Sequence, residues 1–300
     1  MRSAIRLHHF GLRINDFYFR AFFPLNMPLR ISHATIAATA EVLAVDPKGQ
    51  TVSTAMAGEY ALTIYLDKRE IVTLMTMGQN PEALAIGYLR NQRLIDSVDQ
   101  IESVQVDWES AAVAIRTHEG VSFIENKMEK RTVTTGCGQG TVFGDLMQAL
   151  DTVRLQQELT WSDSELFALL ETIRLHETIY KNAGAVHGCA LANRQGQLLL
   201  FHEDVGRHNA VDSIAGQMWI DQIDGSDKVF YTTGRLTSEM VIKTILMKIP
   251  FLVSRSGLTH MGFEIAHKAG LTMIGRAINK HYLLFTGLKR FKQTLASQPS

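Results

Sequence analysis

In the second half of the chain, short apolar stretches alternate with helical patterns, and this alternation restricts the possible folds more than any other sequence feature. The apolar stretches span residues 198–201, 228–231, 250–253 and 271–274, and the helical patterns lie near residues 209–220, 238–248 and 261–269. Repeated strand–loop–helix units are typical of a layered sheet with helices packed on its faces. The pattern therefore predicts an α/β domain over residues 151–290.

Three loops of this predicted sheet carry many polar residues, at 202–209, 232–235 and 254–257. In such sheets, ligands bind beyond the carboxyl ends of the strands, where helix N-termini present free amides to anions. If the strands run parallel, the three loops meet at one edge, which is the candidate site. Gly234 and Arg235 would offer a backbone amide and a guanidinium to a pyrophosphate. The same residues could also form a turn before a helix capped by Thr237 or Ser238.

The first half of the chain favours strands. Apolar and polar residues alternate over residues 62–66, and further strand-like stretches span residues 71–74, 101–106, 111–117 and 121–125. One helix is predicted after Asn80 and Pro81. Ser162 and Glu165 form a capping box, with Trp161 and Leu166 as its hydrophobic staple. The predicted order is an N-terminal extension (1–40), a β-rich α+β domain carrying the cysteine loop (41–150), the α/β domain (151–290) and a tail (291–300).

The charge balance excludes whole classes of function. Lys plus Arg and Asp plus Glu both total 30, which argues against a general nucleic-acid or membrane-surface binder. The chain has two cysteines, too few for a disulfide framework, so we expect a reducing cytoplasm. No apolar run reaches the ~18 residues of a membrane span. The basic segment 256–300 would favour an anionic ligand nearby, although a solvated basic tail is an alternative explanation.

Cys137 lies in the glycine-rich segment Gly136-Cys137-Gly138-Gln139-Gly140. A thiol with so little side-chain cover is accessible to other proteins, and its thiolate could carry sulfur as a persulfide. Cysteine is more often a small buried hydrophobic residue, which is the alternative for this position. The glycines also resemble a dinucleotide-binding turn, but three residues rather than two separate Gly140 from Gly144.

Other catalytic motifs find little support. His187 and Cys189 lack the Glu and the paired cysteines of a zinc deaminase, so no metal is expected and Cys189 is predicted to lie buried in a strand. The chain contains no G-x-S-x-G hydrolase motif. The polar run 203–212 could be catalytic, or could be a helix start with Asp204 or Asn209 as N-cap and Arg207 paired to Asp204 or Asp212.

The run Glu203-Asp204-Val205-Gly206-Arg207-His208-Asn209-Ala210-Val211-Asp212 resembles the signature of the FdhD/NarQ family of formate dehydrogenase accessory sulfurtransferases. Other segments that resemble the family are 58–62, 75–78, 82–89, 184–187, 233–235 with Glu239, 254–257, 271–275 and 282–287. The resemblance covers residues 41–290 and leaves the N-terminal extension outside it.

The resemblance implies a sulfur carrier required for formate dehydrogenase activity. Sulfur would pass as a persulfide on Cys137 from a cysteine desulfurase to the molybdenum cofactor in its bis(molybdopterin guanine dinucleotide) form. It further implies a homodimer and a three-layer α/β/α second domain resembling the cytidine deaminase fold without zinc. The family commonly has Cys-x-x-Cys at the loop, whereas Gly140 stands at the second position here.

The resemblance and the loop positions together give a set of predicted cofactor-binding residues. They are Arg207, His208, Gly234, Arg235, Tyr282, Leu283, Leu284, Phe285, Thr286 and Gly287. Two alternatives to sulfur transfer remain open from the sequence. One is a chaperone that holds the molybdenum cofactor without moving sulfur, and the other is a nucleotide-dependent oxidoreductase that uses the glycine loop.

Overall fold

The computed structural model describes residues 28–120, 147, 150, 152–176 and 178–294, and two mixed β-sheets form its framework. Cys137 and the strand predicted at 121–125 lie outside the described residues. The mixed α/β and α+β composition agrees with the predicted fold class.

The first sheet has five strands in the order β1-β6-β7-β4-β5. They are β1 (Arg30–Ile31), β4 (Tyr60–Leu66), β5 (Arg69–Thr76), β6 (Ile101–Asp107) and β7 (Ala112–Thr117), with a separate hairpin of β2 (Thr39–Val45) and β3 (Thr51–Ala57). Leu62, Ile64 and Leu66 alternate along β4 and are fully buried, as their spacing predicts. This face packs against helix α1 (Pro81–Asn91).

The second sheet has six strands in the order β10-β9-β11-β12-β13-β14. They are β9 (His187–Ala192), β10 (Leu198–Asp204), β11 (Val229–Thr232), β12 (Phe251–Ser254), β13 (Thr272–Ile278) and β14 (His281–Thr286). Strands β11, β12 and β13 are parallel, while β9 is antiparallel to both β10 and β11. Strand β10 therefore points the same way as β11, and the carboxyl ends of these four strands share one edge.

Helices cover both faces of this second sheet and make three layers. Helices α4 (Arg207–Ile220), α5 (Ser238–Leu246) and α6 (His260–Ala269) pack on one face, and α2 (Asp163–His176) packs on the other. A short helix, α3 (Thr178–Ala183), leads into β9. Neighbouring residues of a strand face opposite sides of the sheet. Phe230 packs in the core formed with α4, α5 and α6, and Tyr231 packs in the core formed with α2.

The two sheets are joined by a close crossing of α1 and α4. Gly87 and Gly216 lie at the crossing, where the Asp212 carbonyl approaches the first glycine and the Ala83 carbonyl approaches the second. Polar contacts flank it: Asn91 Nδ2 donates to Asp212 Oδ1 at 2.7 Å, and Arg90 Nη1 donates to the Ala215 carbonyl at 2.6 Å. The domains are thus held together by backbone proximity and by buried hydrogen bonds.

Several local predictions can be compared with the structure. The Ser162–Glu165 capping box is confirmed, because each residue's side chain bonds the other's backbone amide, at 3.3 and 2.8 Å. The N-cap of α4 is Gly206, so the prediction of Asp204 or Asn209 was wrong. Thr237 is the N-cap of α5, although its side chain makes no capping bond.

The segments predicted as an N-terminal extension and a C-terminal tail both contribute residues to sheets. Strand β1 pairs with β6, so the segment assigned to the extension, 1–40, contributes a strand to the first sheet. At the other end, β15 (Phe291–Lys292) pairs with β8 (Trp161–Ser162). Phe291 lies against Trp161, which explains why a tail residue is buried.

Candidate functional site

The three polar loops of the second domain meet at the carboxyl edge of β10, β11 and β12, as the parallel arrangement predicts. Ser254 Oγ donates to the Gly234 carbonyl at 2.6 Å, and the Leu236 amide donates to the Gly257 carbonyl at 3.0 Å. The first loop joins them because a Cβ on Gly234 would lie 3.1–3.2 Å from the Arg207 side chain. A glycine at this position lets the Arg207 stem pack directly on the neighbouring loop.

The first residues of β9 also lie at this edge, because β9 is antiparallel to β10 and β11. His187 is half-buried there, and its pKa is lowered by burial and by the positive charges of Arg207 and Arg235. Arg235 itself is exposed. Two guanidiniums and a neutral imidazole therefore act on the same small region, which suits an anionic ligand such as a phosphate.

A hydrogen-bond chain fixes how His187 is presented. Thr233 Oγ1 accepts from the Gly188 amide at 3.0 Å and lies 3.4 Å from His187 Nδ1. The Thr233 hydroxyl and His187 Nδ1 therefore form a hydrogen bond in which the donor is set by the ring tautomer.

Beneath this edge lies a fully buried ion cluster. Lys243 Nζ lies 2.8 Å from the Asp212 carboxylate and 3.8 Å from Glu239 Oε1. Glu239 Oε2 is in turn 3.6 Å from His208 Nε2. Burial and the charges of Lys243 and Arg207 lower the pKa of His208 to about 2, so its imidazole is neutral. His208 thus lies below the edge and contacts the cluster.

Much of the polar run 203–212 forms the joint between the domains. Asp204 Oδ2 accepts from Thr76 Oγ1 at 2.6 Å and from the Met77 amide at 3.1 Å. Asn209 Nδ2 donates to the Met75 carbonyl at 2.6 Å and to Asp204 Oδ1 at 2.9 Å. The carboxylate predicted to pair with Arg207 is therefore engaged by the first domain.

Asp212, the other predicted partner of Arg207, is engaged by different groups. Its carboxylate binds Lys243 and Asn91, and burial raises its pKa against the opposing effect of Lys243. The cation that lies beside the Asp212 carboxylate is Lys243 of α5.

The predicted segment 282–287 lies apart from the arginine edge. Strands β12 and β13 separate β14 from β11, a distance of roughly 14 Å at about 4.8 Å per strand. Within β14, Tyr282 and Leu284 pack on one core, Phe285 packs on the other, and Leu283 is 47% exposed.

The end of this segment reaches the opposite edge of the sheet. Thr286 Oγ1 donates to the Leu271 carbonyl at 2.5 Å and accepts from the Met273 amide at 3.0 Å. Gly287 has φ +77° and lies so close to Thr272 that a Cβ would be 2.2 Å from its hydroxyl. Of the predicted binding residues, the structure therefore brings together Arg207, Gly234 and Arg235, with His208 beneath them, and leaves 282–287 apart.

Cys189 is buried in β9, as predicted. Its Sγ donates to Thr232 Oγ1 at 3.3 Å, and burial raises the pKa of the thiol to about 12. A thiol so weakly ionised is a poor nucleophile. Any thiol chemistry of this chain therefore has to depend on Cys137, which the described residues do not include.

Two further observations concern only the part of the chain that the structure describes. Within that part, no group of three or more His, Cys, Asp or Glu side chains is arranged to hold a metal ion. Nor does any helix there have the length and apolar character needed to cross a bilayer.

His187, Lys243 and Glu239 are not among the predicted binding residues, although His187 and Glu239 lie among the segments that resemble the family. The only chemical role considered for His187 was that of a zinc ligand, yet its position at the start of an antiparallel strand places it at the arginine edge. A signal for Lys243 was available, since an isolated lysine within an otherwise apolar helical pattern indicates a buried counter-ion.

Comparisons with known proteins bear on both domains. The model of the FdhD/NarQ family matches residues 57–292. A sulfur carrier protein FdhD from Wolinella succinogenes is 29% identical, over 76% of this chain and 79% of that protein. A protein of the same name from Saccharolobus solfataricus is 30% identical, over 73% of this chain and 82% of that protein.

A solved structure supports the fold. It is a crystal structure from Desulfotalea psychrophila described as a formate dehydrogenase accessory protein, with a TM-score of 0.68, 24% identity, and coverage of 85% of this chain and 98% of that chain. The family model extends across both sheets and includes the positions of Cys137 and the arginine edge. The chain belongs to the FdhD/NarQ family.

Proposed function

We propose that this protein is a sulfur carrier that supports a formate dehydrogenase. Sulfur would arrive from a cysteine desulfurase, be held as a persulfide on Cys137, and be passed to the molybdenum cofactor as substrate. The observation that carries this proposal is the family match over residues 57–292, whose relatives are named sulfur carrier protein FdhD. The segment with Cys137 lies inside that match.

Receipt of sulfur needs one thiol only. The Cys137 thiolate attacks the terminal sulfur of the desulfurase persulfide, a new S–S bond forms, and the desulfurase cysteine leaves as a thiolate. No net oxidation occurs, so the absence of a second cysteine at Gly140 does not prevent this step. Cys189 is unsuited to it because its thiol is buried and its pKa is raised to about 12.

The arginine edge is the part of the described structure best suited to the cofactor. A guanine dinucleotide carries a pyrophosphate, and Arg207 and Arg235 offer guanidiniums that bind phosphate oxygens in a bidentate manner. In this proposal the segment 282–287 contacts a second part of the large cofactor, since β14 lies roughly three strands away from β11. We further propose that two copies of the chain form a homodimer in the cytoplasm. No nucleic-acid partner is proposed.

The similarity of the second domain to a cytidine deaminase fold is also part of the proposal. The three layers and the mixed strand directions of the second sheet are compatible with it. Without zinc ligands in the described residues, such a fold would serve as a binding scaffold.

A chaperone that binds the cofactor without moving sulfur is the second candidate, favoured by Gly140 at the position of the usual second cysteine. Complementation separates the two. In bacteria that lack their own carrier, the wild-type chain and the Cys189→Ala variant are expected to restore formate dehydrogenase activity, whereas Cys137→Ala is expected to give none. Full activity of Cys137→Ala would establish the chaperone instead.

A further inference from the structure

A cleft of about 490 Å³ lies at the joint between the two domains. Its walls are formed by the C-terminal ends of α1, α4 and α5 and by the residues that follow each helix. Helix α4 begins at the arginine edge and ends beside the cleft, so its 14 residues separate the two regions by roughly 20 Å. Clefts of this volume between domains commonly bind small molecules. The proposed sulfur transfer gives this cleft no role.

The rim of the cleft is built by three helix ends of the same kind. Each helix closes with a Schellman motif, in which the residue in the left-handed conformation is usually glycine. Here these residues are Arg93, Gln222 and Lys248, with φ between +54° and +62°. All three are exposed and line the cleft. The rim therefore carries long polar side chains, while the helix C-termini contribute partial negative charge.

Arg90 is the cation on the inner side of the cleft. Its Nη1 donates to the Ala215 carbonyl at 2.6 Å, and its guanidinium carbon lies 4.9 Å from the centre of the Trp219 ring. Burial lowers its pKa to about 10, so it stays charged at neutral pH. Among the described residues, the Ala215 carbonyl is its one hydrogen-bond acceptor, and no carboxylate lies within ion-pair distance. Its other N–H groups are thus suited to a carboxylate ligand, which a guanidinium binds through two parallel hydrogen bonds.

The rest of the lining combines apolar side chains with two carboxylates. Met218 and Met247 are each 1% exposed and lie at the bottom of the cleft. Asp96 and Asp224 are exposed at its rim. Asp224 accepts from the Ser226 hydroxyl, whereas the Asp96 carboxylate has no partner in the part of the chain that the structure describes. An ammonium group beside Asp96 would be favoured both by this carboxylate and by the helix C-termini.

We propose that this cleft binds a free α-amino acid with an apolar side chain. The carboxylate of the ligand bonds Arg90, its ammonium group faces Asp96, and its side chain lies on Met218 and Met247. A zwitterion matches a lining that carries charges of both signs, whereas a simple anion would be opposed by the two aspartates and by the helix C-termini. Because both domains line the cleft, the bound amino acid also stabilises the folded chain.

Titration of the full-length protein with L-phenylalanine, followed by NMR of the tryptophan indole N–H signals, tests the proposal. The chain has three tryptophans, and Trp219 lines the cleft. The indoles of Trp108 and Trp161 donate to the Ala34 and Arg194 carbonyls, away from it. L-phenylalanine should shift the Trp219 signal in a saturable manner and leave the other two unchanged. The Trp219→Phe variant identifies the signal.

Two derivatives of the ligand separate its charges. N-acetyl-L-phenylalanine lacks the ammonium group, and L-phenylalaninamide lacks the carboxylate. Each should bind at least about tenfold more weakly than L-phenylalanine, because one charged partner in the cleft is left without its counterpart. No saturable shift of Trp219 with L-phenylalanine, or equal binding of the three compounds, would overturn the proposal.

Variants of the two charged partners locate the ligand. Arg90→Met keeps the length of the stem and should weaken L-phenylalanine binding at least about tenfold, whereas Arg90→Lys should weaken it about three- to tenfold. Arg116→Gln, which removes a 72%-exposed arginine from the first sheet, is the control and should bind as the wild type does. Binding to Arg90→Met as tight as to the wild type would contradict the role of the guanidinium.

Asp96→Asn keeps the proposal testable if Arg90→Met does not fold, because Asp96 is exposed. This variant should bind L-phenylalanine several-fold more weakly than the wild type, yet bind N-acetyl-L-phenylalanine equally well, since that compound has no ammonium group. An equal loss for both compounds would show that Asp96 does not face the ammonium group. None of these measurements depends on Cys137, so their outcome is independent of the proposed sulfur transfer.

Discussion

Gly87 and Gly216 allow α1 and α4 to cross at backbone contact distance. A Cβ on Gly87 would lie 1.7 Å from the Asp212 carbonyl oxygen, and one on Gly216 would lie 1.9 Å from the Ala83 carbonyl oxygen. Both obstacles are backbone atoms, which cannot move aside as a flexible side chain can. This crossing sets how the first domain is placed on the second.

Gly87→Ala is therefore expected to destabilise the protein by about 2–3 kcal/mol or more, because one methyl group would force the two helices apart. Urea unfolding followed by circular dichroism measures the change. Gly257→Ala is the matched control, since nothing lies within 4 Å of its added Cβ. Similar midpoints for the two variants would show that the crossing is loose.

Lys243 is the cation of a buried ion cluster and is 1% exposed. Lys243→Met is expected to cost about 3–5 kcal/mol of unfolding free energy, because Asp212 and Glu239 would remain buried without their cation. Adding Asp212→Asn to this variant should recover part of the loss, as it removes one of the stranded charges. A single variant as stable as the wild type would contradict this account of the cluster.

Stability should fall as the medium becomes acidic because His202 is buried in its neutral form. Burial lowers its pKa to about 4, and its Nδ1 lies 2.7 Å from Asn80 Nδ2 in the first domain. The unfolded chain binds this proton at pH values below about 6.5, so unfolding is favoured by about 2 kcal/mol at pH 5 from this group alone.

The raised pKa values of Asp204 and Asp212 act in the opposite direction, since the folded carboxyls hold their protons at a higher pH than the unfolded ones. Comparing the wild type with His202→Gln in urea titrations from about pH 8 to about pH 5 isolates the histidine. The variant should lose less stability over this range. Replacement of His260, whose side chain is 89% exposed, by Gln is the matched control.

Cys189 should resist alkylation in the folded protein, because its buried thiol is almost wholly protonated at neutral pH. Mass spectrometry after brief treatment with iodoacetamide should find no label on Cys189, either in the wild type or in Cys137→Ala. Denatured protein should be labelled at every cysteine. Labelling of Cys189 at the same rate in both states would show that its strand opens readily.

The sequence predicted what depends on local pattern. The alternation of apolar residues predicted β4. The assumption that the strands run parallel predicted that the 232–235 and 254–257 loops lie at one edge. The sequence could not predict the domain joint, because the partners of Asp204 and Asn209 lie more than 120 residues earlier in the chain. The run 203–212 resembles a binding site in the sequence, because a sequence does not show which groups its acidic and amide side chains bond. Similarly, the distance between the segment 282–287 and Arg235 follows from the order of the strands in the second sheet, which the sequence does not show.

The central claim, that Cys137 carries sulfur, is tested most directly by intact-mass spectrometry. The protein is incubated with a cysteine desulfurase and free cysteine, and the Cys189→Ala variant serves as the matched control for Cys137→Ala. The account predicts a gain of one sulfur atom on Cys137 in the wild type and in Cys189→Ala, which is reversed by a thiol reductant. A chain that gains no sulfur, or that gains it equally in Cys137→Ala, would contradict the claim.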